Sequence, residues 1–202
     1  MTSIETLILD VADASAAQTF YDKAFGLDGR LRFRESDAPT SGFRGFTLSL
    51  IVSQPGNAKA LLDAAVDAGA RTLKPLTKSL WGHGGVVEAP DGTIWKVATS
   101  AKKDTGPVTR DVDDLVVLLG AADVAESKRF YLDQGLEVAK SFGRKYVEFA
   151  VPAGSVKLGL YGRRALAKDA GVSADGSGSH RFAIGSPAGT FTDPDGFAWE
   201  AA

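Results

Sequence analysis

Short aliphatic blocks alternate with amphipathic stretches along the chain, and the same order of blocks occurs twice. Residues 5–11 (ETLILDV) and 114–120 (DLVVLLG) are short, branched and apolar, which predicts strands. Each is followed by an aspartate, Asp13 or Asp123, placed to accept from the free amides of a first helical turn. Glu126 supplies the second member of a capping box. Ala17, Phe20, Tyr21, Ala24 and Phe25 recur at i, i+3, i+4 spacing, and Val124, Ser127, Phe130 and Tyr131 form a weaker stripe. Helices over 14–25 and 124–134 are therefore expected, stopped by Gly26 and Gly135.

Beyond these openings the pattern diverges. Residues 31–34 and 46–52 read as strands. A second helix is expected from Asn57, with Ala58, Leu61, Leu62, Ala65 and Val66 facing inward and Gly69 ending it. Strands at 72–76, 85–89 and 93–98 complete a βαβββ unit. After 124–134 come strands at 137–141, 145–150 and 155–161, a second such unit. The remainder is abbreviated to strands at 180–184, 190–192 and 197–201 with no helix among them. The basic run 163–168 reads as a solvated loop or short helix.

The repeat is explicit in single residues. Ala12-Asp13, Phe20-Tyr21 and Gly26-Leu27 recur as Ala122-Asp123, Phe130-Tyr131 and Gly135-Leu136. Pro90-Asp91-Gly92 with Trp95 recurs as Pro194-Asp195-Gly196 with Trp199. The reading is two related α+β halves, 1–100 and 111–202, joined by a polar linker at 101–110. The Asp-Gly turns and their tryptophans suit scaffold packing better than chemistry, because both halves carry them.

Composition narrows the function classes. With 44% hydrophobic and 24% charged residues, the chain is neither disordered nor fibrous. Twenty-three basic against twenty-five acidic residues leave a formal charge of -2, without the basic footprint of a nucleic-acid binder. There are no cysteines, which excludes disulfides, thiol catalysis and Cys-ligated metals and suits a reducing cytosol. No apolar run approaches the roughly 20 residues that span a bilayer, and Thr2-Ser3-Ile4-Glu5 does not open a signal peptide. The expectation is a cytoplasmic monomer or homodimer whose partner is a small molecule, with no nucleic acid and no membrane.

The ordered set V-x-D, F-Y, G-L and [AD]-P-D-G-x-x-W-[KE], present in the first half and repeated in the second with Ala121 in place of the valine, resembles the vicinal oxygen chelate superfamily. That superfamily includes glyoxalase I, extradiol dioxygenases and the bleomycin- and fosfomycin-resistance proteins. The resemblance implies tandem βαβββ modules forming curved mixed β-sheets around a pocket, the second half here abbreviated. It also implies positions for metal ligands, which fall on Thr6, Thr47 and Lys96 in the first half and on Val116, His180 and Glu200 in the second. A facial triad needs two imidazoles and a carboxylate, and a catalytic zinc takes three protein ligands. The chain contains two histidines, His83 and His180, so no cofactor is predicted, while a divalent metal on His180 and Glu200 stays open.

The candidate catalytic residues are thus His180 and Glu200, as base or anchor and orienting carboxylate. His180 also reads as a surface histidine, and Glu200 as an exposed end-strand charge. Candidate ligand contacts are Trp81 and His83, in a glycine-rich loop suited to a lid; Tyr161, beside the space left by Gly159; and Phe182, on the His180 strand face. Trp81 reads equally as a residue packed in a seam between modules, and Tyr161 as part of an ordinary half-buried strand. The favoured function is a glyoxalase/bleomycin-resistance/dioxygenase-like small-molecule cleft that works without a metal. The alternative is a metal-dependent lyase or dioxygenase using His180, Glu200 and an unidentified third ligand. Whether the cleft turns its ligand over is left open.

Overall fold

The computed structural model describes residues 2–27 and 29–202. The chain opens with β1 (Thr6–Val11), α1 (Ala14–Ala24), β2 (Leu31–Glu35) and the short β3 (Thr40–Gly42). A complete βαβββ unit follows: β4 (Phe46–Ile51), α2 (Pro55–Asp67), β5 (Arg71–Ser79), β6 (Gly82–Glu88) and β7 (Ile94–Thr99). A second comprises β8 (Asp114–Ala121), α3 (Val124–Asp133), β9 (Glu137–Ser141), β10 (Tyr146–Ala150) and β11 (Lys157–Gly162). The remainder is α4 (Arg163–Ala170), β12 (Gly176–Gly178), β13 (Phe182–Ser186), β14 (Phe191–Thr192) and β15 (Ala198–Ala201).

The two complete units join edge to edge in an eight-stranded sheet of order β5-β6-β7-β4-β8-β11-β10-β9. The abbreviated ends of the chain form a five-stranded sheet, β14-β15-β13-β1-β2. Both sheets therefore draw strands from both halves. The seams are antiparallel, β4 on β8 and β1 on β13. In all four units the opening strand pairs in parallel with a later one: β4 with β7, β8 with β11, β1 with β2 and β13 with β15. The common pairing identifies the short units as trimmed copies of the long ones.

Strand alternation sorts the two faces of the large sheet. Leu48, Leu50, Trp95, Val97, Leu115, Val117, Leu158 and Leu160 are buried in the main core. Ser49, Lys96, Val116 and Lys157 point to the opposite, concave face. Two similar clamps tie helices to turns, with equivalent tyrosines and tryptophans but with the second carboxylate two residues earlier in its turn. Trp95 Nε1 donates to Tyr21 Oη (3.2 Å), which donates to Asp91 (3.0 Å). Trp199 Nε1 donates to Tyr131 Oη (3.2 Å), which donates to Asp193 (2.7 Å). Asp13 and Asp123 cap α1 and α3 by accepting first-turn amides.

The structure differs from the sequence expectation at β3 and β12, which the pattern does not predict; at residues 82–84, expected as a lid-like loop with His83 but paired as strand in β6; and at the start of α2. α2 starts at Pro55, after Gln54, not at Asn57. Proline suits the first helical position because its φ is already helical and the amide it lacks would have been unpaired. Asn57 and Gln54 instead hold the linker: Thr109 N donates to Asn57 Oδ1 (2.9 Å), and Thr105 N and Gly106 N donate to Gln54 Oε1 (2.8 and 3.0 Å). The basic run begins a helix, α4, whose Leu166, Ala167 and Ala170 are buried with Phe43, Val86 and Ile94. Gly171, left-handed at φ 82, ends it.

Candidate functional site

The concave face of the eight-stranded sheet holds two adjoining cavities of about 360 and 530 Å³ that share Ile51, Lys96 and Ala98. Registers align Lys96, Ser49, Val116 and Lys157 in one row across β7, β4, β8 and β11. Ser49 is 4% exposed, and its Oγ has no hydrogen-bond partner. Ile51, Ala98, Val116 and Leu118 supply apolar floor around it. Charged groups stand in pairs: Lys96 with Asp169 (2.6 Å), Lys157 with Asp114 (2.7 Å), and Lys140 with Glu148 (3.9 Å). Tyr146 donates to Glu148 (3.2 Å), and burial, then the Glu148 charge, pushes its phenol up to about 12. It is therefore a hydrogen-bond donor at neutral pH.

One end of this cleft is closed by α4, which packs against Val86, Leu118 and Tyr161. Lys74 Nζ reaches the end of that helix and donates to the carbonyls of Lys168 (2.8 Å) and Asp169 (2.6 Å). A cation is favoured there by the helix dipole and the unpaired carbonyls.

The sequence candidates divide between this cleft and other places. Trp81 lies at the β5–β6 turn, is 84% exposed, and borders the larger cavity with His83. His83 Nδ1 lies 3.1 Å from the Ala101 carbonyl. Tyr161 is half-buried, edge-on to Tyr146 and packed beside α4. Phe182 is buried and stacked on Phe46 at 4.3 Å, in the core between the sheets.

His180 and Glu200 are not brought together. His180 Nδ1 lies 2.5 Å from the Arg44 carbonyl and Nε2 lies 3.0 Å from the Asp195 carbonyl, with the ring stacked on Phe197. Both ring nitrogens face backbone carbonyls and the ring is packed on Phe197, so the imidazole is taken up by the backbone and is not directed toward Glu200. Glu200 is held by Arg34 (2.8 Å), which also bonds Asp10 (2.7 Å). Those two carboxylates raise the Arg34 guanidinium further above its ordinary range. Val116 lies in the other sheet from Glu200, so the ligand set expected from His180, Glu200 and a third group is not assembled.

The repeat explains His180. Arg44 stands two residues before Phe46 as His180 stands two before Phe182. Arg44 donates to the Asp91 carbonyl, and His180 Nε2 lies against that of Asp195. Arg44 lies over Gly92 and His180 over Gly196, where a Cβ would come within 2.8 and 3.2 Å of them. His180 is thus one of two equivalent turn anchors. The doubled pattern, a basic residue two before a phenylalanine, was the signal for this. Ser49, Asp114, Tyr146, Glu148 and Lys157 were missed as site residues, since each reads as ordinary strand alternation until its row is known.

The structure matches glyoxalase I from Zea mays with a TM-score of 0.65 at 14% identity, over 98% of this chain and 91% of that one. The chain has the glyoxalase fold. A putative dioxygenase from Bacillus subtilis subsp. subtilis str. 168 matches with a TM-score of 0.56 at 14% identity, covering 96% of this chain and 71% of that one. No protein-family model matches the sequence, and no curated protein does.

The glyoxalase fold raises the question of a metal, and the donors here do not fit one. The central row of the large sheet carries two ammonium groups, a hydroxyl and an isopropyl group. The small sheet offers Glu200 and Asp10, both already committed to a guanidinium. Among the described residues no group of three His, Asp or Glu side chains is placed to hold an ion. Among them, too, no helix is long and apolar enough to cross a membrane.

Proposed function

We propose that the concave face of the eight-stranded sheet binds a small organic molecule and does so without a metal ion. The observation that carries this is the Ser49 hydroxyl, buried on the floor of the cleft with no partner. An unsatisfied buried hydroxyl costs about 1–3 kcal/mol, which a ligand atom would offset. The surroundings suit such a ligand: an apolar floor, a few polar groups at fixed positions, and space in the range of small-molecule sites. Tyr146 supplies a donor and Glu148 an acceptor on one wall. Trp81 offers stacking area at the mouth. This is the chemistry of a binding or sequestering protein; turnover would need only proton transfer by these same side chains.

The test is elemental analysis of freshly purified protein, followed by a thermal-shift screen of small organic molecules. Substoichiometric metal is expected, with hits that raise the melting temperature of the wild type. Ser49→Ala removes the hydroxyl without adding volume and should weaken those hits by about 1–3 kcal/mol, roughly fivefold to 150-fold in Kd. One tightly held transition metal per chain, or hits indifferent to Ser49→Ala, would overturn the reading.

A further inference from the structure

We infer that the ligand of this cleft is a small organic monocarboxylate, anchored by Ser49 and Lys96, with its carboxylate taking the place of Asp169 beside Lys96. The inference rests on the cleft being the ligand site and adds the charge and anchoring group of the ligand.

Three observations carry it. First, the partnerless Ser49 hydroxyl is the register neighbour of Lys96, so a donor O–H and an ammonium stand on adjacent strands and the same face. A carboxylate is the common group that accepts from both at once, one oxygen to each. Second, the cleft carries an excess of positive charge. Lys74, Lys96, Lys140 and Lys157 line the two cavities against Asp114, Glu148 and Asp169. Lys74 spends its bonds on two backbone carbonyls rather than on a carboxylate. Third, Asp169 is poorly placed as the resident partner of Lys96. It lies in the last turn of α4, where the helix dipole disfavours an anion. Its pair with Lys96 is half-exposed, at 32% and 43%, and such pairs are readily exchanged. A carboxylate deeper in the cleft, bonded also to Ser49, has the better position. Its arrival frees Asp169 to solvent without leaving a buried charge unpaired.

The test is calorimetric titration, at low salt and neutral pH, of matched carboxylates and primary amides: benzoate and benzamide, phenylacetate and phenylacetamide, hexanoate and hexanamide. Each carboxylate is expected to bind at least tenfold more tightly than its amide, and less tightly as sodium chloride is raised. Lys96→Met should erase the preference. Asp169→Asn should tighten the carboxylates several-fold more than the amides. Circular dichroism and melting curves of each variant confirm that it is folded. If Lys96→Met does not fold, Lys96→Gln and the salt dependence of the wild type read the same preference. Amides binding as well as carboxylates would overturn the charge assignment and leave the cleft reading standing. No binding by any member would sink both. An unchanged preference in Asp169→Asn would remove the exchange with Asp169.

Discussion

His180 shows how a residue's place in a motif and its role come apart. The motif puts it at a ligand position, but two backbone carbonyls and the Phe197 ring take up the imidazole. His180→Ala should therefore lower stability in urea by about 1–3 kcal/mol, the cost of unpaired buried acceptors, and leave binding in the cleft unchanged. Loss of binding at full stability would return the role of anchor to this residue. Tyr21, Tyr131 and Tyr146 make a second residue-level case. Burial, chiefly, then the charges of Asp91, Asp193 and Glu148 respectively, raise all three phenols. A phenol raised above its ordinary value of 10.0 favours the folded state below that pH, and the contribution is lost as pH climbs. For Tyr146 that window is 10.0 to about 12. Urea midpoints should fall across it, and less steeply in Tyr146→Phe. A flat midpoint would contradict the burial of these groups.

At the scale of elements, α4 is the feature that shapes the cleft. It stands outside the repeated βαβββ pattern, between the last strand of one unit and the trimmed unit that follows. Gly171 ends it in a left-handed turn, and a Cβ there would meet the Lys74 Cε at 2.8 Å. Gly171→Ala combines the φ penalty with that contact and should cost about 1 kcal/mol or more. It should also disturb the Lys74 bonds to the helix end, so its melting temperature should fall. No change in the melt would show that the helix end is not held as described. Most strands were legible because their exposure alternates along the sequence. α4 was read as a loop or short helix because its buried face is three residues long. The start of α2 was misplaced because Asn57, a good capping residue by type, is buried within the first turn of the helix and bonded to the linker.

At the scale of the molecule, each sheet closes only when both halves are present. β4 and β8 are buried at the centre of one sheet, β1 and β13 at the centre of the other. Separating the halves would expose the long apolar edges of β4 and β8, templates for aggregation. Residues 1–100 or 111–202 expressed alone should therefore aggregate or form oligomers by size-exclusion chromatography, and co-expression should recover a soluble pair. A monomeric fragment with a cooperative melt would show that a half is self-sufficient.

The sequence by itself determined what depends on near neighbours: helix caps at Asp13 and Asp123, strand periodicity, the doubled turn with its tryptophan, and hence the fold class. These are set by interactions within a few residues, so they are written locally. Tertiary structure alone decided which strands meet and in what register. Pairing of β4 with β8 joins residues some seventy apart in sequence, and a slip of one residue would turn every side chain to the other face. That register sets Ser49 between Lys96 and Val116 on the floor of the cleft. The same non-local packing brings the Arg44 and Asp195 carbonyls to His180 and Arg34 to Glu200, which removes both from the chemistry their positions suggested.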